Sequence, residues 1–207
     1  PGPEGELRDE AIRRLRPPVG CHAQDAVGVP RRVPHELVER GEVDLDAPAS
    51  RYLADLKDRE VLVSVDTAAD RASTRPASRE ITVRDLLRHT SGFAYTFSNH
   101  ELLLMDENGG TGGRAQPILH DPGERWTYGV GTAFVGWIVE EVSQQALPDF
   151  LRAEIFEPLG MNETSFDLAP SKMGRLVDLV RRVDGVVTSS PRPDSYESQG
   201  RGDGGLV

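Results

Sequence analysis

Val135, Ile138, Val139, Val142 and Ala146 recur at steps of three and four, so they share one face of a helix. Such a stripe has to be buried, and this requirement sets the packing of the middle of the chain. Glu140, Glu141, Gln144 and Gln145 supply the opposite, polar face. The entrance is His120-Asp121-Pro122-Gly123, a turn signal, because Pro fixes φ and Gly tolerates φ > 0. A second short helix follows. Pro148 suits its first position, Asp149 its first turn, and Phe150, Leu151 and Ile155 its apolar side. Pro158 and Gly160 stop it. His120 to Phe166 therefore reads as a buried helical hairpin with Trp126-Thr127-Tyr128-Gly129 at its mouth.

The remaining chain places smaller elements around that hairpin. Pro34 to Arg40 reads as a short helix with Leu37 and Val38 inward and Gly41 just past its end. Leu45 to Pro48 turns the chain, and Pro48 to Leu56 makes a further helical turn or two burying Tyr52, Leu53 and Leu56. Glu60 to Val65 is a strand candidate, and the polar stretch Asp66 to Arg79 a loop. Thr82 with Asp85 forms a capping-box variant opening a helix with Leu86 and Leu87 inward, which ends at His89-Thr90-Ser91-Gly92. Ala94 to Leu104 is mixed, and Glu107 to Gly113 a flexible loop. Ser171 to Asp184 and Gly185 to Ser189 read as strand, turn, strand, with Asp184-Gly185 the hairpin signal. Residues 1–33, rich in Pro, Gly and Arg, are expected to be poorly ordered, and the tail Pro191 to Gly205 is polar and Gly-rich.

Composition narrows the function classes. The chain has 207 residues and a net charge of −10, a poor match for nucleic acid. Its single cysteine, Cys21, excludes an internal disulfide. No run of about 18 apolar residues exists to span a membrane. The N-terminus has no apolar core of the signal-peptide kind, which favours a cytoplasmic location. It also starts without Met, so the beginning is expected to be trimmed or missing.

Several apparent motifs dissolve on inspection. His35-Glu36 starts like a zinc-protease helix, but position 39 is Glu where the second His is needed. His22, His100 and His120 lack ligand spacing, so no metal is expected. The glycines of 109–113 lack the Lys-Ser/Thr of a phosphate loop. Arg201-Gly202-Asp203 in a Gly-rich tail is chance, and a helix stop explains Asn162-Glu163-Thr164 better than glycosylation does. From spacing alone Tyr128 is a half-buried aromatic after a turn, and Trp126 is pocket wall or packing.

Three strings add information. PGERWTYGVGTAFVGWIVEEVS followed by FLRAEIFEPLGMNETSF (Pro122 to Phe166), ITVRDLLRHTSGF (Ile81 to Phe93) and LVERGEVDLDAPASRYL (Leu37 to Leu53) resemble the serine β-lactamase-related hydrolases. These are class C β-lactamases, DD-peptidases and family VIII-type esterases. The resemblance covers residues 34–207 and implies an α+β, β-lactamase/DD-peptidase-like fold. It further implies that this chain supplies mainly the helical subdomain and lacks part of the antiparallel sheet. Residues 1–33 stay unassigned.

The implied reaction is ester or amide hydrolysis through an acyl-serine, on a small-molecule substrate and without a cofactor. Its nucleophile sits in Ser-x-x-Lys, where i and i+3 share a helix face and the amine can take the hydroxyl proton. The chain has two lysines, Lys57 and Lys172, preceded three residues earlier by Ala54 and Ala169, so the motif is absent. A third motif on a late strand would fall past residue 207. Tyr128 falls at the position of the family tyrosine, which shares the base role, but position 130 is Val where β-lactamases have Asn. That departure leans toward the esterase branch. Tyr128 is thus the single catalytic assignment, with Trp126 as substrate-binding wall and His89 structural at a helix end. The expected function is a serine hydrolase present as a fragment or defective copy. The alternative is a non-catalytic remnant that binds a ligand or partner.

A helical subdomain separated from its sheet exposes apolar surface. The chain is therefore expected to self-associate and to melt broadly; a sharp two-state melt of a dilute monomer, checked by sedimentation, would contradict this.

Overall fold

The computed structural model describes residues 33–66, 71–107, 113–178, 180–189 and 196–197. The readings of residues 1–32, of the glycines up to 112 and of most of the tail lie outside these described residues. Helix α1 (Val33–Glu39) leads into two 3-10 turns, Ala49–Arg51 and Ala54–Leu56. Strands β1 (Glu60–Asp66) and β2 (Arg71–Pro76) pair antiparallel. Helices α2 (Val83–Arg88) and α3 (His100–Glu107) follow, then α4 (Gly131–Ser143) and α5 (Leu147–Leu151), which runs into a π-turn at Arg152–Phe156. Three further pieces complete the order: β3 (Asp167–Leu168), the hairpin β4 (Val180–Val183) and β5 (Val186–Ser189), and β6 (Tyr196–Glu197), which pairs with β3.

Helix α4 lies at the centre of the core. The stripe residues Val135, Ile138 and Val139 are buried, as expected, but so are Gly131, Ala133, Phe134 and Gly136. The first two turns of this helix are thus enclosed on most sides, and its polar face begins only at Glu140. Three of the residues read as stripe and polar face, Gln144, Gln145 and Ala146, lie beyond the helix end. Gln144 is a left-handed C-cap, and Ala146 is the exposed N-cap of α5. Around α4 pack Leu37, Leu53, Leu56, Ile81, Val83, Leu86, Ile118, Phe150, Leu151, Ile155 and Phe166. Phe134 stacks on Phe93 at 4.5 Å, meets Trp137 edge-on at 5.0 Å, and with Phe93 faces the Arg59 guanidinium.

The region from Asp66 to Arg79 corrects the loop reading. Arg71 to Pro76 forms a strand although its sequence, Arg-Ala-Ser-Thr-Arg-Pro, has no apolar alternation. Its backbone ladder to β1 holds it, and it has no buried face to leave a period-2 signature. The far edge of β1 is also used. Ile118 donates its N–H to Glu60 (2.9 Å) and accepts from Leu62 (2.8 Å). A second correction concerns Ser171 onward: Pro170–Arg175 is a 3-10 helix, and the strand begins only at Val180. The Asp184-Gly185 turn is as expected, with φ of 50° and 82° at its two central residues. Val180, Val183, Val186 and Val187 stand exposed on this hairpin. Among the described residues no helix is long and apolar enough to cross a membrane.

Because Phe134 fills the centre with three ring and cation contacts, Phe134→Ala should lower stability by about 3–5 kcal/mol in urea unfolding. Val186→Thr on the exposed hairpin should change it by less than about 0.5 kcal/mol.

Candidate active site

The segment that carries Tyr128 is positioned by the two ends of α2. At the start, Thr82 and Asp85 form the expected reciprocal capping box. The Asp85 carboxylate also receives a bidentate Arg79 fork (2.7 and 3.1 Å) and the Thr90 hydroxyl (2.9 Å). Asp85 is only 6% exposed. Burial by itself would raise its pKa. The hydrogen bonds from Arg79, from the Thr82 N–H and hydroxyl and from Thr90 outweigh that and hold it at about 2.

At the other end, His89 is left-handed (φ 57°, ψ 38°), and its N–H bonds back to Asp85 and Leu86. The carbonyl of His89 then accepts the N–H of Thr127 at 2.8 Å, and Gly123 donates to the Thr90 carbonyl at 2.7 Å. These bonds lay the turn 120–127 beside the 89–92 loop.

His120 is buried under this turn. Its Nδ1 lies 2.9 Å from the Asp121 carbonyl, which only accepts, so Nδ1 carries the proton. In the neutral ring Nε2 therefore accepts from the Thr127 hydroxyl at 2.9 Å. The Asp121 side chain takes an Arg75 fork and the Ser78 N–H, which hold it well below the usual carboxylate range. Thr127 is thus held by its own N–H and by its hydroxyl, and Tyr128 follows directly.

Tyr128 is 38% exposed. Its ring lies 4.8 Å from His89, 5.4 Å from Tyr95 and 6.2 Å from Trp126. Beneath it, Gly129 lies against the backbone of Phe93 and Ala94, and a Cβ there would overlap the Phe93 carbonyl. Trp126 is 65% exposed, with its ring edge-on to His89 at 6.1 Å and near-parallel to Tyr128. Tyr95 stacks on Phe97 at 4.9 Å. Among the described residues no three His, Cys, Asp or Glu side chains come together as a metal set.

Of the two residues picked from the sequence, Tyr128 and Trp126 are brought together at the surface. Three others were not picked as part of the site. His89 is a helix end, as expected, and also a ring against Tyr128. Tyr95 and Phe97 join from the loop after Phe93; two aromatics at i and i+2 beside a helix end were the available signal.

A family model described as Beta-lactamase matches residues 33–207. The ML-236A carboxylate methylbutanoyltransferase of Penicillium citrinum is 36% identical over 158 residues, 71% of this chain and 38% of that protein. The lovastatin esterase of Penicillium rubens is 29% identical over 186 residues, 82% of this chain and 45% of that protein. A mutant of simvastatin synthase from Aspergillus terreus superposes with a TM-score of 0.75 at 33% identity, over 84% of this chain and 45% of that one. The chain spans less than half the length of these relatives.

A carboxylate whose folded pKa is depressed stabilises above its unfolded value and loses that contribution as pH falls through the folded one. Stability should therefore drop between pH 3.8, the ordinary Asp value, and about 2 as Asp85 takes up a proton. Asp85→Asn should flatten this limb and lower stability at neutral pH by about 2–3 kcal/mol, read from thermal melts across pH.

Proposed function

We infer that this chain, which belongs to the Beta-lactamase family, carries the tyrosine side of a serine acyl-transfer site that acts on esters. One observation carries the reading. The phenol at the family's tyrosine position stands half-exposed at the surface, on a backbone locked from both sides by the α2 ends and by Gly129. A rigid backbone and a solvent-reachable hydroxyl are what a proton-transfer group needs.

In such a reaction a serine oxygen attacks the ester carbonyl while its proton passes to the basic pair of phenol and amine. The alcohol leaves with a proton, and the acyl-serine is then taken by water or by a second alcohol. Tyr128 is the phenol in this scheme and Trp126 the wall beside the acyl or alcohol group. The preference for esters rests on Val130, where the β-lactamase pattern has Asn, and on relatives named for methylbutanoyl transfer and for ester cleavage. The serine and amine are not among these 207 residues in Ser-x-x-Lys form. We read these residues accordingly as a binding half-site. The second reading, a binding module without turnover, draws on that same absence.

The test measures p-nitrophenyl butyrate hydrolysis, fluorophosphonate labelling and equilibrium binding of butyrate esters, each with Tyr128→Phe and Trp126→Ala alongside. The expected result is saturable binding, weakened about three- to tenfold by Trp126→Ala, with no turnover and no labelled serine. A labelled serine and turnover lost in Tyr128→Phe would locate a nucleophile within the chain and overturn the half-site reading. Folded protein with no ester binding would overturn the site itself.

A further inference from the structure

Phe97 is 60% exposed, and Trp126, at the other end of the ring run, is 65% exposed. Between them the rings form a continuous series. Phe97 stacks on Tyr95 (4.9 Å, 17° between planes), Tyr95 leans on Tyr128 (5.4 Å), and Tyr128 lies near-parallel to Trp126 (6.2 Å, 21°). Each step lies in the range of direct aromatic contact. Exposed aromatics placed singly need no explanation, but a contiguous run of them marks a recognition surface.

The run has two arms of separate origin. Trp126 and Tyr128 ride on the turn before α4, and Tyr95 and Phe97 on the segment that follows Gly92. Hydrogen bonding fixes each arm. The first is held by Thr127 on the His89 carbonyl. The second is held by Gln116 Nε2 on the Ala94 carbonyl at 2.8 Å and by the Ser98 hydroxyl on the Tyr95 carbonyl at 3.0 Å. Tyr128 is where they meet, so a group seated at the phenol has an apolar floor on either side.

We propose that Tyr95 and Phe97 are specificity-determining residues of this site, and that its ester substrate carries a bulky, uncharged, ring-containing group laid across the Phe97–Tyr95–Tyr128 run. The proposal rests on the acyl-transfer reading for the role of Tyr128 but not for the binding it predicts. Phe97 and Trp126 have no ionisable group, and stacking rewards flat apolar surface over small or ionic groups. A short acyl ester covers one ring; a fused-ring ester reaches the neighbouring one. Discrimination therefore comes from ring coverage away from the scissile bond, and it acts on binding first.

The test uses 2-butoxynaphthalene, an ester analogue that cannot be hydrolysed, followed by its own fluorescence anisotropy, with butyl ethyl ether as displacing ligand. The naphthyl compound should bind at least about tenfold more tightly than the small ether. Phe97→Ala should weaken the naphthyl compound about three- to tenfold and leave the small ether unchanged, while Phe97→Leu recovers part of the loss. Val187→Thr on the exposed hairpin should change neither. Equal binding of the two ligands, an unaltered naphthyl affinity in Phe97→Ala with an unaltered melt, or an equal loss in Val187→Thr would each overturn the proposal. Because no bond is broken, these outcomes are independent of whether the chain turns over an ester.

Discussion

Five hydrogen bonds converge on the two oxygens of Asp85: two from Arg79, one each from the Thr82 N–H and hydroxyl, and one from the Thr90 hydroxyl. A carboxylate so enclosed would be strongly unfavourable without these donors, because its desolvation is offset only when its lone pairs are filled. The donors come from three places in the chain: the segment before α2, its N-cap and the loop after it. Satisfying one buried charge therefore fixes the entry and the exit of a helix under two turns long. Such a helix has little stability of its own. Its exit in turn supplies the carbonyls of His89 and Thr90, on which the 120–127 turn is hung.

The polar scaffold and the apolar core divide the work of placing Tyr128. Burial of α4 on most sides anchors everything after Gly131, and Gly131 itself lies against the Leu86 carbonyl. The hydrogen-bonded loops anchor everything before it. Tyr128 sits at the seam, so its backbone has no slack from either direction. Its side chain and its aromatic neighbours remain at the surface, where a ligand can reach them. The backbone here is over-determined, while the Phe97, Trp126 and Tyr128 rings are left exposed.

Local chemistry made part of this legible. The period of α4, the Thr82–Asp85 box, the Pro148 start and the Asp184-Gly185 turn each need only residues a few positions apart, and each was readable. The strand β2 was not readable, since its pairing is written in β1 and its side chains face solvent. The end of α4 was misplaced for a related reason. Ala146 keeps the helical spacing, yet Gln144 adopts a left-handed cap that spacing does not register. For the site, the family strings singled out Tyr128, while spacing left Trp126 open between wall and packing; the structure adds that the Trp126 ring is exposed beside Tyr128.

What belongs to the sequence alone is the absence of Ser-x-x-Lys, the tyrosine with Val rather than Asn two residues on, and the helical hairpin behind it. These are matters of residue identity and short-range geometry, which no tertiary arrangement alters. What only the tertiary structure decided is which rings surround Tyr128. His89, Tyr95 and Phe97 lie more than thirty residues from it, and no local pattern ties them to it. They arrive because the Asp85 cluster and the buried face of α4 bring two distant loops side by side, and long-range packing of that kind leaves no period in the chain to read.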